Sequence, residues 1–237
     1  MKIVVLTGAG ISAESGIPTF RDADGLWEGH RLEEVATPAA FEEHPELVHK
    51  FYNARRRHLL QKEVLPNAAH LALAEHEESH EDEFLLITQN VDHLHFVAGS
   101  KNVLPMHGQL MEARCTETGK VIPWQRDLSI HTQDPDVPTR IGHLRPNVVW
   151  FGEMPHGLEK IQKAAQNADV FLAIGTSAVV YPAAGIVQAT PATCQRVEIN
   201  LESTPQSDLF TETIRGNAST EVPKFLTRLR SQKNESR

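Results

Sequence analysis

Short apolar runs alternate with amphipathic stretches along most of the chain. Each run is flanked by small or polar residues, which is typical of strands buried on both faces of a parallel sheet. The stretches between them carry helix signals, namely a proline after a capping residue and apolar positions three or four apart. Strands are predicted at 3–6, 84–87, 102–106, 170–174 and 196–200, and helices at 46–62, from 66 onward, and at 158–167, 182–188 and 222–229. This alternation predicts an α/β fold, a Rossmann-like doubly wound parallel sheet.

A second, smaller domain is predicted because one long stretch breaks the alternation. Residues 108–146 are polar, contain proline and aspartate, and show weak periodicity over a length too great for a plain loop. We predict that this domain is formed by insertions at 28–65, a helical part, and 108–150, a separate module. The Rossmann-like domain is then formed by 1–27, 66–107 and 151–237.

The first strand ends in a glycine-containing turn that is typical of nucleotide binding. Gly8-Ala9-Gly10 permits a tight turn and a close approach to a ligand, and Ser12, Glu14 and Ser15 are suited to cap a following helix whose amides would bind a phosphate. The spacing, GxGxxxxxG through Gly16, differs from the usual GxGxxG fingerprint. The loop by itself therefore fits a simple strand-to-helix turn equally well.

Polar residues also follow the other predicted strands. Gln89 and Asn90 follow the second, His107 the third, Gly175 the fourth and Asn200 the fifth. Because ligands of open parallel sheets bind at the carboxyl ends of the strands, these positions predict a single large site. His107 is a candidate general base, since a free imidazole has a pKa near ~6.5.

Composition narrows the function classes. The chain has 237 residues and a net charge of −8, and its densest basic run, residues 55–57, is too short to follow a nucleic-acid backbone. Two cysteines, Cys115 and Cys194, do not make a disulfide framework, which fits a reducing compartment. No apolar stretch has the length needed to span a membrane. We expect a cytoplasmic monomer with no nucleic-acid or membrane partner.

Five motifs occur in order along the chain: Gly8-Ala-Gly-Ile-Ser12, Pro18-Thr-Phe-Arg21, Thr88-Gln-Asn-Val-Asp92, His107-Gly108 and Gly175-Thr-Ser177. Over nearly the full length the sequence closely resembles the sirtuins, NAD-dependent protein-lysine deacylases, and within them the compact bacterial deacylases of the desuccinylase type. The resemblance implies NAD as cofactor and acylated protein lysines as partners. It implies removal of succinyl, malonyl and acetyl groups, giving nicotinamide, O-acyl-ADP-ribose and free lysine.

The resemblance also implies roles for individual residues. His107 would be the base that takes a proton from a ribose hydroxyl, with Asn90 as the second catalytic residue. Asp92 would hold the nicotinamide amide. By its chemistry Arg21 is suited either to neutralise the pyrophosphate or to clamp a cofactor loop, and Phe20 is suited to shield the reactive carbon. The full cofactor-binding set is Gly8, Ala9, Gly10, Ser12, Glu14, Phe20, Arg21, Trp27, Gln89, Asn90, Val91, Asp92, Gly175, Thr176, Ser177, Asn200, Leu201, Glu202 and Ala218.

Tyr52 and Arg55 indicate the acyl group. They lie three residues apart on the predicted helix, so a phenol and a guanidinium share one face and suit a carboxylate. They resemble the pair with which sirtuins recognise malonyl- and succinyl-lysine. Ala36 matches the small residue that widens the acyl pocket of those sirtuins. Residues 148–152 match the strand that pairs with the substrate backbone. The predicted substrate-binding residues are Tyr52, Arg55, Ala36, Val148, Val149, Phe151 and Gly152. On the same predicted helix, the positions expected to face the core are Leu47, Phe51, Ala54 and His58.

The sequence departs from the sirtuin pattern at the metal site. Sirtuins usually carry two CxxC pairs that hold a structural zinc, but the first pair here reads Cys115-Thr-Glu-Thr118 and no cysteine lies between Thr116 and Trp150. Cys115, His131 and His143 give at most three of four ligands, so no zinc is predicted. A mono-ADP-ribosyltransferase and a non-catalytic NAD-sensing module remain alternative functions, and a nicotinamide dehydrogenase is a more distant one.

Overall fold

A computed structural model gives the structure of residues 1–19, 29–79, 81–177 and 182–235. The strands are β1 Lys2–Thr7, β2 Glu83–Thr88, β3 Val103–Pro105, β4 Gly108–Cys115, β5 Val121–Pro123, β6 Leu144–Val148, β7 Val170–Ile174, β8 Gln195–Asn200 and β9 Glu212–Arg215. The helices are α1 Leu32–Val35, α2 Pro38–Glu43, α3 Pro45–Leu59, α4 Ala68–Ser79, α5 Leu94–Val97, α6 Leu158–Gln166 and α7 Ala218–Glu235. In the described part of the chain, no helix has both the length and the apolar character needed to cross a membrane.

Six parallel strands form the main sheet in the order β3-β2-β1-β7-β8-β9. The order reverses beside β1, as expected for a doubly wound sheet. Successive strand residues point to opposite faces, so Ile3 and Val5 pack toward α4 and α7 while Val4 and Leu6 pack with α6. This two-sided burial explains why the strands are continuously apolar, and it confirms the predicted fold class.

A second, antiparallel sheet has the order β5-β4-β6 and is joined to α3 by buried polar side chains. The Asn53 side chain exchanges two hydrogen bonds with the backbone of Leu128, at 2.7 and 2.8 Å. Arg56 is fully buried and its Nε donates to the carbonyl of Leu110 at 2.9 Å. Burial lowers the pKa of Arg56 to about 10, so the side chain stays charged at neutral pH and serves as a fixed donor inside the protein.

Several local predictions are wrong. Residues 182–188 form two 3₁₀ turns, Ala183–Gly185 and Val187–Ala189, in place of a helix. On α3 the core face includes Val48 and Tyr52, whereas Ala54, which was predicted to face the core, is exposed. β9 and the small sheet were not predicted, because apolar residues do not alternate regularly with polar ones in their sequences.

Candidate active site

The glycine turn after β1 packs directly against the turn after β7. Gly8 donates its amide to the Ile174 carbonyl at 3.0 Å, and Gly10 donates to the Gly175 carbonyl at 2.8 Å. A Cβ on Gly10 would lie 2.7 Å from the Gly175 Cα, and Gly175 has a φ of +57°. Glycine is therefore required at both positions because the two backbones touch. Residues 9–15 continue as two 3₁₀ turns, and not as the capped helix that the sequence predicts.

Ser12 serves a different purpose from helix capping. Its hydroxyl donates to the Asp92 carboxylate at 2.9 Å and accepts from the Asn90 amide at 3.2 Å. The Asn90 amide also donates to the Gly8 carbonyl at 3.1 Å. Burial raises the pKa of Asp92, and the hydrogen bonds from Leu94 and Ser12 oppose that rise. Three predicted cofactor residues are thus joined in one buried network.

Two histidines that sequence reasoning did not select lie beside this network. His70 Nε2 lies 3.4 Å from the Ser12 hydroxyl, and His95 Nε2 lies 3.0 Å from the Thr7 hydroxyl. The two rings are 4.8 Å apart, and burial lowers the pKa of His70 to about 4 and that of His95 well below its usual range. Both are therefore neutral at physiological pH. A sequence pattern could have pointed to His70. It lies three residues after Asn67, the residue before α4, and its Nδ1 accepts the backbone amide of Asn67 at the start of that helix.

Thr176 joins the ends of three strands. The Gln89 side chain donates to the Thr176 hydroxyl at 2.8 Å, and the Asn200 side chain donates to the Thr176 carbonyl at 3.0 Å. Gln89 follows β2, Thr176 follows β7 and Asn200 ends β8. The structure therefore brings together the strand-end residues that the sequence predicts to form one site.

His107 lies at the same edge, directly after β3. Its Nδ1 is 2.9 Å from the carbonyl oxygen of Gln89. A carbonyl only accepts, so Nδ1 carries the hydrogen, and in the neutral ring Nε2 is left as the proton acceptor. Burial lowers the pKa of His107, the hydrogen bond to Gln89 opposes this, and the charge of His156 lowers it further. His107 is therefore a neutral imidazole with a fixed orientation at pH 7.

The predicted substrate strand is attached to His107 at one end and to Ala36 at the other. Val149 donates its amide to the His107 carbonyl at 2.9 Å, and Phe151 donates to the Ala36 carbonyl at 2.9 Å. β6 itself ends at Val148, and the following segment turns at Gly152, which has a φ of +91°. Phe151 remains 43% exposed, so an apolar surface borders this segment.

Tyr52 contacts the same segment through Trp150, and Arg55 lies three residues further along α3. The Tyr52 hydroxyl accepts a hydrogen bond from Trp150 Nε1 at 3.0 Å, and burial raises the pKa of Tyr52. Arg55 donates from Nη1 to the Phe51 carbonyl at 2.8 Å, with its guanidinium carbon 3.2 Å from the centre of the Phe51 ring. The pair therefore consists of a neutral phenol that contacts the segment and a guanidinium cation whose charge reaches that phenol.

An ion pair beneath this segment was also missed from the sequence. Arg145 binds both carboxylate oxygens of Glu153, at 2.7 and 2.8 Å, and its guanidinium lies over the Trp150 ring at 3.3 Å. Glu153 also accepts the backbone amide of Trp150 at 2.8 Å. The hydrogen bonds with Arg145 and Trp150 outweigh burial and lower the pKa of Glu153, so the pair remains charged and holds the segment in place.

The remaining predicted cofactor residues lie in different parts of the structure. Glu14 turns to α7, where its carboxylate accepts the amide and hydroxyl of Ser219 beside Ala218. Leu201 and Glu202 are exposed just after β8, and the Val91 carbonyl accepts the amide of Leu110 in β4. Ala9 lies in the first 3₁₀ turn and Ser177 follows Thr176, whereas Phe20, Arg21 and Trp27 lie outside the described residues.

An arginine between β5 and β6 lies close to Cys115, where the resemblance to sirtuins implies a metal site. Arg140 pairs with Asp134 at 2.9 Å and with Glu117 at 2.7 Å, and its charge reaches the thiol of Cys115. His143 also pairs with Glu117, whereas His131 lines a separate cleft with His49. In the ranges that the structure describes, no group of three or more His, Cys, Asp or Glu is arranged to hold a metal ion.

Comparison with known proteins identifies the family. The profile of the Sir2 family matches residues 8–182, which is more than half of the chain and includes the turns that follow β1, β2, β3 and β7. The chain belongs to the Sir2 family. A Rhodopirellula baltica relative named NAD-dependent protein deacylase is 61% identical over 233 residues, 95% of this Sir2 chain and 98% of the relative.

Solved Sir2 structures share the fold. A mutant Sir2 homologue in complex with ADP-ribose is 39% identical, with a TM-score of 0.88 over 98% of this chain and 93% of the other. A Sir2 homologue in complex with NAD is 40% identical, with a TM-score of 0.86 over 97% and 90% of the two chains. NAD binding is thus a property of the family to which this Sir2 protein belongs.

Proposed function

We propose that the protein removes acyl groups from protein lysines in an NAD-dependent reaction, and that it accepts succinyl and malonyl groups as well as acetyl. The observation that supports this best is His107, a neutral imidazole whose Nδ1 is held by the Gln89 carbonyl and whose Nε2 is the proton acceptor. It lies at the edge where the strand ends meet and next to the predicted substrate segment. The name of the Rhodopirellula baltica relative supports the same activity.

The residues at the strand ends fit a dinucleotide. The glycine turns leave backbone without side chains beside Thr176, and Asn90 and Asp92 offer an amide and a carboxylate inside the edge of the sheet. In the proposed complex Gly8, Gly10 and Thr176 border the phosphates, Asn90 and Asp92 face the nicotinamide end, and Asn200 with Glu202 binds the adenine ribose. When bound, NAD supplies the ribose carbon that is attacked by the acyl oxygen.

The protein's own groups would then perform three tasks. His107 accepts a proton at Nε2 from a ribose hydroxyl, because its other nitrogen is committed to Gln89. The segment from Val148 to Gly152 pairs with the substrate backbone, which brings the acyl-lysine past His107. Arg55 and Tyr52 bind a terminal carboxylate on the acyl chain, since a guanidinium can make paired, charge-assisted hydrogen bonds to it.

Mass spectrometry of peptide turnover tests this function. A succinyl-lysine peptide and its acetyl twin are incubated with the protein and NAD, and we expect NAD-dependent loss of both acyl groups with O-acyl-ADP-ribose formed. Transfer of ADP-ribose to the protein or peptide without loss of the acyl group would instead show a mono-ADP-ribosyltransferase. NAD binding with no turnover would show a sensing module and would overturn the proposal.

We further propose that the small domain contains no structural zinc. Such a site needs four nitrogen or sulfur ligands, and the group around Cys115 contains a guanidinium instead. Arg140 is a cation that pairs with the carboxylates of Glu117 and Asp134, so these two acidic side chains are neutralised by an arginine. Arg140 lowers the pKa of Asp134, so the pair is fully formed above the ordinary aspartate pKa of ~3.9 and is lost only in stronger acid.

Chelator treatment and an Arg140→Ala variant test this proposal. We expect EDTA and 1,10-phenanthroline to leave the melting temperature and the peptide turnover unchanged. Arg140→Ala should lower the melting temperature by several degrees because it leaves Asp134 without its cation. Lys120→Ala is the matched control, since that side chain is largely exposed and pairs with Asp136 at the surface. Stoichiometric zinc in the purified protein, or unfolding by chelator, would contradict the proposal.

The cysteines and the net charge of the chain bear on its compartment and its partners. We propose a cytoplasmic monomer with no nucleic-acid partner, supported by two buried thiols, Cys115 and Cys194, and by a net charge of −8. Its partners are then the acylated lysines of other proteins. Size-exclusion chromatography with light scattering tests the oligomeric state.

A further inference from the structure

Glu198 is a buried carboxylate that the proposed reaction does not use. It lies in the middle of β8 and is 2% exposed. Its neighbours Val197 and Ile199 pack in the core on the α7 side, so Glu198 and Asn200 share the opposite face of the sheet. A buried carboxylate is costly unless it is paired and hydrogen-bonded. The side chains that bind Glu198 therefore show which segment of the chain this carboxylate fixes in position.

Two of those partners come from the segment that follows β8, and a third comes from β9. The hydroxyl of Thr204 donates to Glu198 Oε1 at 2.7 Å, and the hydroxyl of Ser207 donates to Oε2 at 2.7 Å. Arg215, at the end of β9, pairs with Oε2 at 2.7 Å and also donates to the Ser207 hydroxyl at 3.0 Å. We refer to Glu198, Thr204, Ser207 and Arg215 as the β8 carboxylate cluster.

The cluster fixes one end of a very short exposed segment whose other end is also fixed. Asn200 is held by its hydrogen bond to the Thr176 carbonyl, and Thr204 is held by Glu198. Only residues 201–203 lie between these two anchors, and all three are exposed. Glu202 is in the middle of this bridge, so its backbone position depends on both anchors.

We propose that Glu198 is a positioning residue for the adenosine half of NAD. Through Thr204 and Ser207 it holds the 201–203 bridge in the conformation in which Glu202 meets the ribose hydroxyls. This inference rests on the proposed cofactor role of Glu202. Preorganisation of a binding group lowers the entropic cost of binding, so the cluster contributes to affinity without touching the ligand.

Isothermal titration with ADP-ribose tests the proposal without requiring turnover. Thr204→Val removes only the hydroxyl while keeping the side-chain shape, and with Ser207→Ala it should weaken ADP-ribose binding about 10-fold. Thr204→Ser keeps the hydroxyl and should restore the affinity. Thr211→Val is the matched control, because its hydroxyl bonds to the backbone of Arg196 at the far end of the same loop.

Two further measurements separate positioning from a general loss of structure. In peptide turnover, the double variant should raise the KM for NAD while kcat and the KM for the peptide stay at wild-type values. In a Glu202→Ala background, Thr204→Val should have no further effect on ADP-ribose affinity, since the two act through the same contact. Additive losses in that background, or unchanged affinity in the double variant, would overturn the proposal. Wild-type protein that binds ADP-ribose but turns over no peptide would refute the deacylase function and leave this inference standing.

Discussion

Replacement of His107 by alanine is expected to lower kcat for deacylation by about 10²- to 10⁴-fold, the usual contribution of a positioned general base. The His107 ring donates to the Gln89 carbonyl from Nδ1, so its loss removes both the proton acceptor and a contact at the site edge. The KM for NAD should change little, because the glycine turns and Thr176 remain. Steady-state kinetics with a succinyl-lysine peptide measure the effect.

His131→Ala is the matched control for His107, because His131 is an exposed histidine between β5 and β6 and should be dispensable. Circular dichroism and ADP-ribose titration show whether the His107 variant is still folded and still binds. A folded His107→Ala protein that keeps more than a tenth of wild-type kcat would show that the base lies elsewhere.

The dependence of kcat/KM on pH tests the protonation state of His107. A general base acts in its neutral form, and burial lowers the pKa of His107 below the ordinary value of 6.5. Therefore kcat/KM should rise with pH through a pKa below that of a free imidazole and be nearly constant by pH 7.5. A profile that is still rising at pH 7.5 would contradict the orientation and protonation state described for this ring.

Replacement of Arg55 by methionine is expected to lower kcat/KM for the succinyl peptide by about 100-fold while leaving the acetyl peptide nearly unchanged. The estimate corresponds to the loss of charge-assisted hydrogen bonds to one carboxylate. Methionine keeps much of the side-chain length and its contact with Phe51, so packing is largely preserved. Parallel kinetics on the two peptides measure the change in selectivity.

Arg57→Met is the matched control for Arg55. Arg57 lies on the same helix, but its side chain is exposed and pairs with Asp127 at the surface. Both peptides should therefore be processed by Arg57→Met at wild-type rates. Equal losses on the acetyl and succinyl peptides in Arg55→Met would show that Arg55 supports the fold of α3 and does not read the acyl group.

The sequence was most informative where burial is complete. β7 occupies Val170–Ile174, as predicted, because a strand covered on both faces is apolar at every position. β9, Glu212–Arg215, alternates between half-buried and exposed residues at the sheet edge, so it has no comparable signal. The strand ends were therefore placed correctly at the centre of the sheet, where the predicted site residues meet.

The contacts within the site depended on details that no local pattern contains. Ser12 looks like a helix cap, but its hydroxyl is used by Asp92, 80 residues away along the chain. The predicted face of α3 was displaced, because Trp150 provides a buried partner for Tyr52 that propensity does not anticipate. Residue types and strand ends could be read from the sequence, whereas the pairing of polar groups across the fold required coordinates.

The contact between Glu14 and Ser219 has a consequence for biosynthesis. The two residues are 205 positions apart, and β1 at the centre of the sheet pairs with β7, which is translated much later. On the ribosome, β1 can pair with β2 once residues 83–88 have emerged, but its other edge stays unpaired until β7 has been translated. Such a nascent chain is vulnerable to aggregation, and the first turn reaches its final shape only after the start of α7 has left the exit tunnel.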